Sequence, residues 1–293
     1  MLWLYLALIA YLINAIVFII DKYLLGGQIP KYHAYAFGVS ILSIASLLLI
    51  PFGVSWQGFS YFLIAVSSGA AFFVGLIFFY KVIKQSDISV AATQVGTITA
   101  VFTYIFSVII LNDIPSFINL LSFVFFVLGI YLLGQTKKRV FISAVMAGLF
   151  GGIYFVLMKH LFNSSGFVNG LFWTRIGFIG AAFCSLLSRE IRQEIVFSLK
   201  HASGKSKFLF VFNKFLAGTG FVILYISISL GNVSLVNALL GVQFLFIFLL
   251  ALIFGKKVTE IKEKLSNKIL ISKTVGIISI GIGFLLLFLN NHG

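Results

Sequence analysis

Apolar residues along this chain fall into long uncharged runs, separated by short segments that carry most of the charged residues. A helix needs about 20 mostly apolar residues to cross a bilayer, and ten runs approach or exceed that length. The runs do not alternate apolar with polar residues, and each is about twice as long as a β-barrel strand, so the pattern favours helices. The predicted helices cover residues 2–20, 32–50, 59–83, 88–111, 117–133, 141–162, 166–187, 208–230, 233–254 and 269–289.

The composition agrees with burial in lipid. Hydrophobic residues make up 61% of the 293 residues and charged residues only 10%, against about 25% charged residues in soluble domains. The sequence therefore predicts an all-α membrane protein with ten transmembrane helices. The stretch 189–207 mixes basic and apolar residues between two of these helices. It predicts either an amphipathic segment on the inner membrane surface or a solvated loop.

The two halves of the chain resemble each other in self-comparison. Residues of the third and fourth predicted helices recur after about 145 positions, and residues at the end of the first recur after about 137. The matched pairs are Tyr80 and Tyr225, Asp87 and Asn232, Ser89 and Ser234, Gly96 and Gly241, Phe18 and Phe155, Lys22 and Lys159, Leu24 and Leu161, and Gly129 and Gly283. Because each half has an odd number of helices, the pattern predicts two inverted five-helix repeats, residues 1–136 and 137–293. The alternative is that two sets of Leu-, Ile- and Phe-rich helices resemble each other by composition alone.

Segments 79–91 and 224–236 resemble a motif of a known family. They are similar to the short turn between the third and fourth helices of each half in the EamA-like branch of the drug/metabolite transporter superfamily. Arg175 falls where EamA-like proteins often carry an arginine in the second helix of a half. The resemblance covers essentially the whole chain and implies two five-helix halves and a transport function. The chain departs from the family in having no matching arginine in 32–50, and Gly96 and Gly241 near the usual proline of the fourth helix.

Lysine and arginine lie almost entirely on one side of the predicted helices. Eighteen of the 21 occupy the odd-numbered gaps and the adjoining helix ends, whereas the other side, with both termini, carries only Lys159. Cytoplasmic loops collect basic residues, so the basic loops are predicted to be cytoplasmic and both termini extracytoplasmic, in the cell (plasma) membrane. Many EamA-like proteins are drawn with the termini inside. The net charge of +14 then reflects orientation and attraction to anionic lipid rather than binding to nucleic acid.

Two basic residues fall inside predicted helices. Arg175 lies about nine residues into its helix, near the middle of a hydrocarbon core about 30 Å thick. It either binds a substrate carboxylate or phosphate or holds helix-end carbonyl groups. Lys214 lies nearer the cytoplasmic end of its helix, so its stem is expected to carry the ammonium group to the interface, with substrate contact as the alternative. The seven acidic residues fall at helix ends or in gaps, so we expect no carboxylate buried within a helix.

Uncharged polar and aromatic side chains complete the predicted substrate-binding set. Amides and hydroxyls in lipid need hydrogen-bond partners, so most are expected inside the bundle, where they bond helices together or contact a solute. Aromatic rings either stack on an organic solute or pack between helices. With Arg175 and Lys214, the predicted set comprises Asn14, Tyr80, Thr93, Gln94, Thr97, Tyr154, Trp173, Tyr225, Asn237 and Gln243.

The expected function is transport. No catalytic motif appears in a meaningful context and the four histidines lack metal-ligand spacing, so we expect no enzymatic activity, metal site or cofactor. The sequence predicts an alternating-access secondary transporter of a small polar organic metabolite, acting as a monomer or homodimer among membrane lipids. Proton coupling is disfavoured because no buried carboxylate is expected. The alternatives are a lipid-carrier flippase or permease subunit of the same superfamily, and a non-transporting membrane scaffold.

Overall fold

The computed structural model describes residues 2–111, 116–133, 138–231, 233, 236, 239–255, 258–261 and 267–290. Within these residues the chain is helical and contains no strand. The α-helices are α1 Leu2–Tyr23, α2 Tyr32–Leu42, α3 Phe59–Gln85, α4 Ile88–Leu111, α5 Phe117–Leu133, α6 Lys138–Ser185, α7 Arg189–His201, α8 Gly204–Leu230, α9 Leu240–Phe254 and α10 Asn267–Asn290. A π-helical turn, Leu24–Gln28, continues α1, a 3₁₀ helix, Ser43–Phe52, continues α2, and a short 3₁₀ helix, Thr259–Ile261, follows α9.

The all-helical prediction is confirmed for the described residues. Six of their helical segments are long and apolar enough to cross a membrane. These segments are Leu2–Gln28, Tyr32–Phe52, Phe59–Gln85, Ile88–Leu111, Arg139–Ser185 and Gly204–Leu230, and shorter apolar helices cover Val242–Phe254 and Ile271–Gly283. The fold is therefore compatible with a multi-pass membrane protein.

Helix α6 consists of two arms that meet at Gly166. The backbone there has φ 79° and ψ 174°, which glycine adopts without the penalty a Cβ atom would bring. The arms, residues 138–165 and 167–185, both pack on α3. Gly75 of α3 faces Gly151 of the first arm, and Gly69 faces Thr174 of the second. A methyl group on Gly69 would lie 2.3 Å from the carbonyl oxygen of Thr174, so these two backbones cross without room for a side chain.

Helix α7 is amphipathic and covers the first part of the stretch 189–207. The sequence predicted either an amphipathic segment or a loop there. Ile195 is buried, whereas Phe197 and Leu199 are 43% and 62% exposed. Glu194 holds this helix against the start of α2, with its carboxylate 2.7 Å from His33 Nδ1 and 3.5 Å from Lys31 Nζ. These contacts tie α7 to the start of α2.

Two lysines cap the C-terminal ends of two helices in the same manner. Lys22 Nζ donates a hydrogen bond to the Ile83 carbonyl at the end of α3, at 2.8 Å. Lys159 Nζ donates to the Ile228 carbonyl at the end of α8, at 2.9 Å. A cation is favourable at a helix C-terminus because the last carbonyl groups lack partners within the helix. Lys22 and Lys159 are one of the matched pairs found when the two halves of the sequence are compared. Ile83 and Ile228 are 145 positions apart, the same separation as Tyr80 and Tyr225.

Candidate functional site

A cavity of about 710 Å³ lies inside the bundle. Its wall is built from α1, α2 with the 3₁₀ helix, α3, α4, both arms of α6, α8 and α9, and hence from both halves of the chain. Most of the wall is apolar. Its polar side chains include seven of the predicted site residues, Asn14, Tyr80, Tyr154, Arg175, Lys214, Tyr225 and Gln243, together with Asp21. A concave, mostly apolar space with a few polar groups is the usual form of a small-molecule site.

Arg175, on the second arm of α6, is held at the cavity wall by aromatic rings. Its guanidinium carbon lies 5.2 Å from the centres of the Phe72 and Tyr225 rings and 5.6 Å from that of Phe178. The guanidinium donates a hydrogen bond to the Tyr225 hydroxyl, which also accepts one from the Tyr154 hydroxyl at 2.6 Å. None of the ion pairs among the described residues includes Arg175. Since a guanidinium has five N–H donors, the cavity contains a fixed cation with donors available to an anion.

A buried ion pair forms a second polar cluster in the wall. Lys214 Nζ lies 2.5 Å from Asp21 Oδ1, and the two side chains are 4% and 1% exposed. The Tyr35 hydroxyl and the Asn213 amide donate to the same oxygen at 2.5 and 2.6 Å. The Lys214 ammonium also lies within 3.4 Å of the Tyr80 hydroxyl. Such pairing and hydrogen bonding is what permits charges to remain inside a low-dielectric interior.

This cluster overturns two expectations. Lys214 does not extend to the interface, because its ammonium is held by Asp21 inside the bundle. The expectation that no helix buries a carboxylate is also wrong. Asp21 was assigned to a gap because the first apolar run ends before it, but α1 continues to Tyr23 and then as a π-helical turn to Gln28. The signal available in the sequence was a pair of opposite charges: Asp21 near the end of the first helix and Lys214 inside α8.

Two amides in the cavity wall retain polar atoms without a protein partner. Asn14 is 3% exposed and Gln243 is 1% exposed. The Asn14 side-chain oxygen and the Gln243 side-chain nitrogen are both buried and form no hydrogen bond. Buried polar atoms are usually satisfied, so these two amides of the wall each retain an unused hydrogen-bonding atom.

The cavity reaches the outer surface of the bundle beside α8. Val211, Phe215 and Val222 line it and are 51%, 76% and 41% exposed. Leu42, across the cavity on α2, is 37% exposed and also lines it. We call this side, defined by these four residues, the lateral opening. In a bilayer it would face acyl chains rather than water.

The segment from α2 through the 3₁₀ helix, beside the lateral opening, is attached to its neighbours at both ends. At one end α2 contacts α8, since a methyl group on Gly38 would lie 2.9 Å from the Phe210 ring. At the other end the segment after the 3₁₀ helix is tied to α6, because the Ser55 amide donates to Asn169 and the Ser55 carbonyl accepts from Trp173. The gap between these two attachments is the lateral opening.

The remaining predicted site residues lie elsewhere. Trp173 donates its indole N–H to the Ser55 carbonyl at 3.0 Å, outside the cavity wall. Thr93 and Thr97 are buried and donate to the carbonyls of Ser89 and Thr93, one turn earlier in α4, so their hydroxyls serve their own helix. Gln94 is fully buried outside the cavity wall. Asn237 lies outside the described residues.

Comparison with known proteins gives a fold but no family. No family model matches the sequence, and no curated protein matches it. The fold is similar to that of a solved chain described as "Crystal structure of protein", with a TM-score of 0.62 over 94% of this chain and 97% of that chain, at 16% sequence identity. At this identity the similarity shows a shared fold alone.

Proposed function

We propose that this protein is a secondary transporter that moves a small polar organic metabolite across the cytoplasmic membrane by alternating access, with the cavity as its binding site. The observation that carries the proposal is Arg175, a cation in a central cavity that belongs to none of the ion pairs of the described residues. Ionisable groups inside membrane proteins are costly and usually mark a substrate or ion pathway. A cavity walled by both halves of the chain supports the same function, because alternating access requires a site that either half can expose.

Contacts between matched residues support the proposed arrangement as two inverted five-helix repeats, 1–136 and 137–293, of EamA-like type. Lys22 and Lys159 cap the ends of α3 and α8. Gly129 of α5 packs on α10, and Gly283 of α10 packs in turn on α5. An inverted repeat predicts such reciprocal contacts because a two-fold axis exchanges the halves. The boundary segment 134–137 lies outside the described residues.

The chemistry of the wall favours an anionic or zwitterionic solute with an apolar body. Arg175 would bind its carboxylate or phosphate, which a guanidinium recognises with paired donors. Asn14 and Gln243 would accept and donate hydrogen bonds to its uncharged polar groups. The distribution of basic residues favours cytoplasmic basic loops and extracytoplasmic termini.

A ligand screen on matched variants tests this proposal. Detergent-purified protein is heated with organic phosphates, mono- and dicarboxylates, amino acids, sugars and quaternary amines, since a ligand of the native state raises the unfolding temperature. We expect a shift with anionic or zwitterionic solutes that is lost in Arg175→Gln. It should be retained in Arg192→Gln, which removes an exposed arginine of α7. A solute so identified should exchange across proteoliposomes. The absence of any shift, or an undiminished shift in Arg175→Gln, would overturn the proposal.

The lateral opening specifically favours a second candidate, a lipid-carrier flippase or permease subunit of the same superfamily. Phe215 lines the cavity although it is 76% exposed, so a molecule with a long apolar chain could occupy the site with its chain among the lipids. The discriminating assay uses liposomes that contain fluorescent polyprenyl phosphate. Accelerated exchange of this probe between leaflets, without exchange of water-soluble solutes, would favour the flippase.

A further inference from the structure

We propose that Asp21 is a proton-binding site, and that its protonation is coupled to the separation of α1 from α8. This inference rests on the proposed transport function and adds a coupling ion to it. The starting observation is the position of the pair: Asp21 belongs to the first half of the chain and Lys214 to the second, and both line the cavity. Any motion that separates the halves at this point must break the ion pair.

The donors around Asp21 divide between the two halves. Lys214 and Asn213 come from α8, whereas Tyr35 comes from α2. While α1 and α8 are in contact, a positive charge and two neutral donors stabilise the carboxylate. When they separate, Asp21 retains only the Tyr35 hydroxyl and loses its counter-charge. A buried carboxylate that loses its cation and its donors binds a proton more readily.

The carboxylate lies at the cavity wall and has one oxygen outside the hydrogen bonds of the ion pair. The hydrogen bonds from Tyr35, Asn213 and Lys214 all end on Oδ1 of Asp21. We assign the proton to Oδ2, the oxygen that lies outside these hydrogen bonds. Uptake of one proton changes the charge of the Asp21–Lys214 pair from zero to plus one, and re-formation of the ion pair releases that proton.

Few other titratable groups surround Asp21 in the described structure. Tyr80 of α3 reaches the Lys214 ammonium rather than the carboxylate. Lys22, next in α1, is directed to the carbonyls at the end of α3. Glu260 packs against Gly26 of the π-helical turn, five residues further along the chain. Helix α9, which also packs on α1, contains no titratable side chain between its first and last residues. Asp21 is thus the group whose proton occupancy depends directly on the contact between the halves.

A cysteine placed where α8 meets the π-helical turn reports the separation of α1 from α8. Ser206, near the start of α8, is 6% exposed and donates a hydrogen bond to Gln28 of the π-helical turn at 3.0 Å. Ser206→Cys should react with a membrane-impermeant maleimide only when α1 and α8 separate. The neighbouring position 205 is exposed, so Lys205→Cys is the matched control. Both are made in a Cys184→Ser background, because Cys184 is the single cysteine of the chain.

The measurement is the ratio of the Ser206→Cys and Lys205→Cys labelling rates in proteoliposomes, from mildly alkaline to mildly acidic pH. Both thiols react as thiolates, so the ratio cancels the pH dependence that they share. If one proton is linked to opening, the ratio should rise about tenfold per pH unit in its steepest range as the pH falls. In Asp21→Asn the ratio should be independent of pH. In Lys214→Gln the rise should move to higher pH, because the carboxylate has lost its cation.

A pH-independent ratio in the otherwise unmodified chain, or an unaltered profile in Asp21→Asn, would overturn the proposal. A profile that Lys214→Gln leaves unshifted would overturn it as well. Labelling requires no solute, so the two proposals can fail separately. Solute exchange with a flat ratio would refute the proton site alone, and a pH-dependent ratio without binding of any solute would refute the transporter alone.

Discussion

The crossing of α3 and the second arm of α6 gives the sharpest stability prediction. In Gly69→Ala the added methyl group would lie 2.3 Å from both the Thr174 carbonyl oxygen and the Phe178 amide nitrogen. Both atoms belong to the backbone, so neither can rotate away. Overpacking costs about 1 to 3 kcal/mol, and we expect the upper end here, offset by about 0.5 to 1 kcal/mol of gained helix propensity. The net loss should be roughly 2 kcal/mol, or about 4 to 8 °C in unfolding temperature at about 2 to 4 °C per kcal/mol.

The matched control lies on the second arm of α6, the partner of α3 in this crossing. A methyl group on Gly180 would meet no atom within 4 Å, so Gly180→Ala has the propensity gain without the clash. We expect its unfolding temperature in detergent, measured by heating followed by size-exclusion chromatography, to equal or slightly exceed that of the unmodified protein. Gly69→Ala should also weaken solute binding, because the displaced arm carries Arg175. Equal unfolding temperatures for the two variants would refute the close crossing of these helices.

Three further predictions follow from contacts of the site and the helix ends. Lys159→Met removes a charged cap from the end of α8 and should lower the free energy of unfolding by about 1.5 to 3 kcal/mol, whereas Lys200→Met, at an exposed position, should leave it unchanged. Equal unfolding temperatures for the two variants would refute the cap. Tyr225→Phe removes the hydroxyl that accepts a hydrogen bond from Arg175 and should raise the dissociation constant of an anionic solute by about tenfold or more. Tyr154→Phe should raise it less, and a larger effect of Tyr154→Phe would contradict the geometry. Thr219→Cys, at an exposed position lining the cavity, should react with a lipid-soluble maleimide in liposomes and thereby lose solute binding; unaltered binding by the labelled protein would show that the lateral opening does not lead to the site.

The helices were predictable because a helix long enough to cross a membrane needs a long apolar run, whose ends are marked by charge. The same rule produced the main error. It ended the first helix before Asp21, although a charge ends a membrane helix only where no partner neutralises it. That partner, Lys214, lies 193 positions away, and sequence spacing within one helix carries no information about such a pair.

The candidate site was predictable in part for a similar reason. Counting residues into the helix identified Arg175 as a charge deep in the apolar region, and the structure adds the rings of Phe72 and Phe178 that hold it. The sequence placed Thr93 and Thr97 on one helix face but left open which groups their hydroxyls contact. Their hydroxyls bond to carbonyls one turn earlier, a local contact that a helix offers to any threonine. Polarity within an apolar run therefore predicted burial more reliably than contact with the cavity.

The lateral opening has a practical consequence for measurement. Phe215 and Val222 belong both to the cavity wall and to the exposed surface that acyl chains would cover in a bilayer. In a micelle the chains of the detergent would take that place, so the detergent would compete with the solute for the cavity. By mass action, the apparent dissociation constant of the solute is then multiplied by a factor. That factor is one plus the detergent concentration divided by the dissociation constant of the detergent. Affinities obtained in detergents of different chain length will differ even when the protein is unchanged, and a nanodisc of defined lipid composition provides the proper reference state.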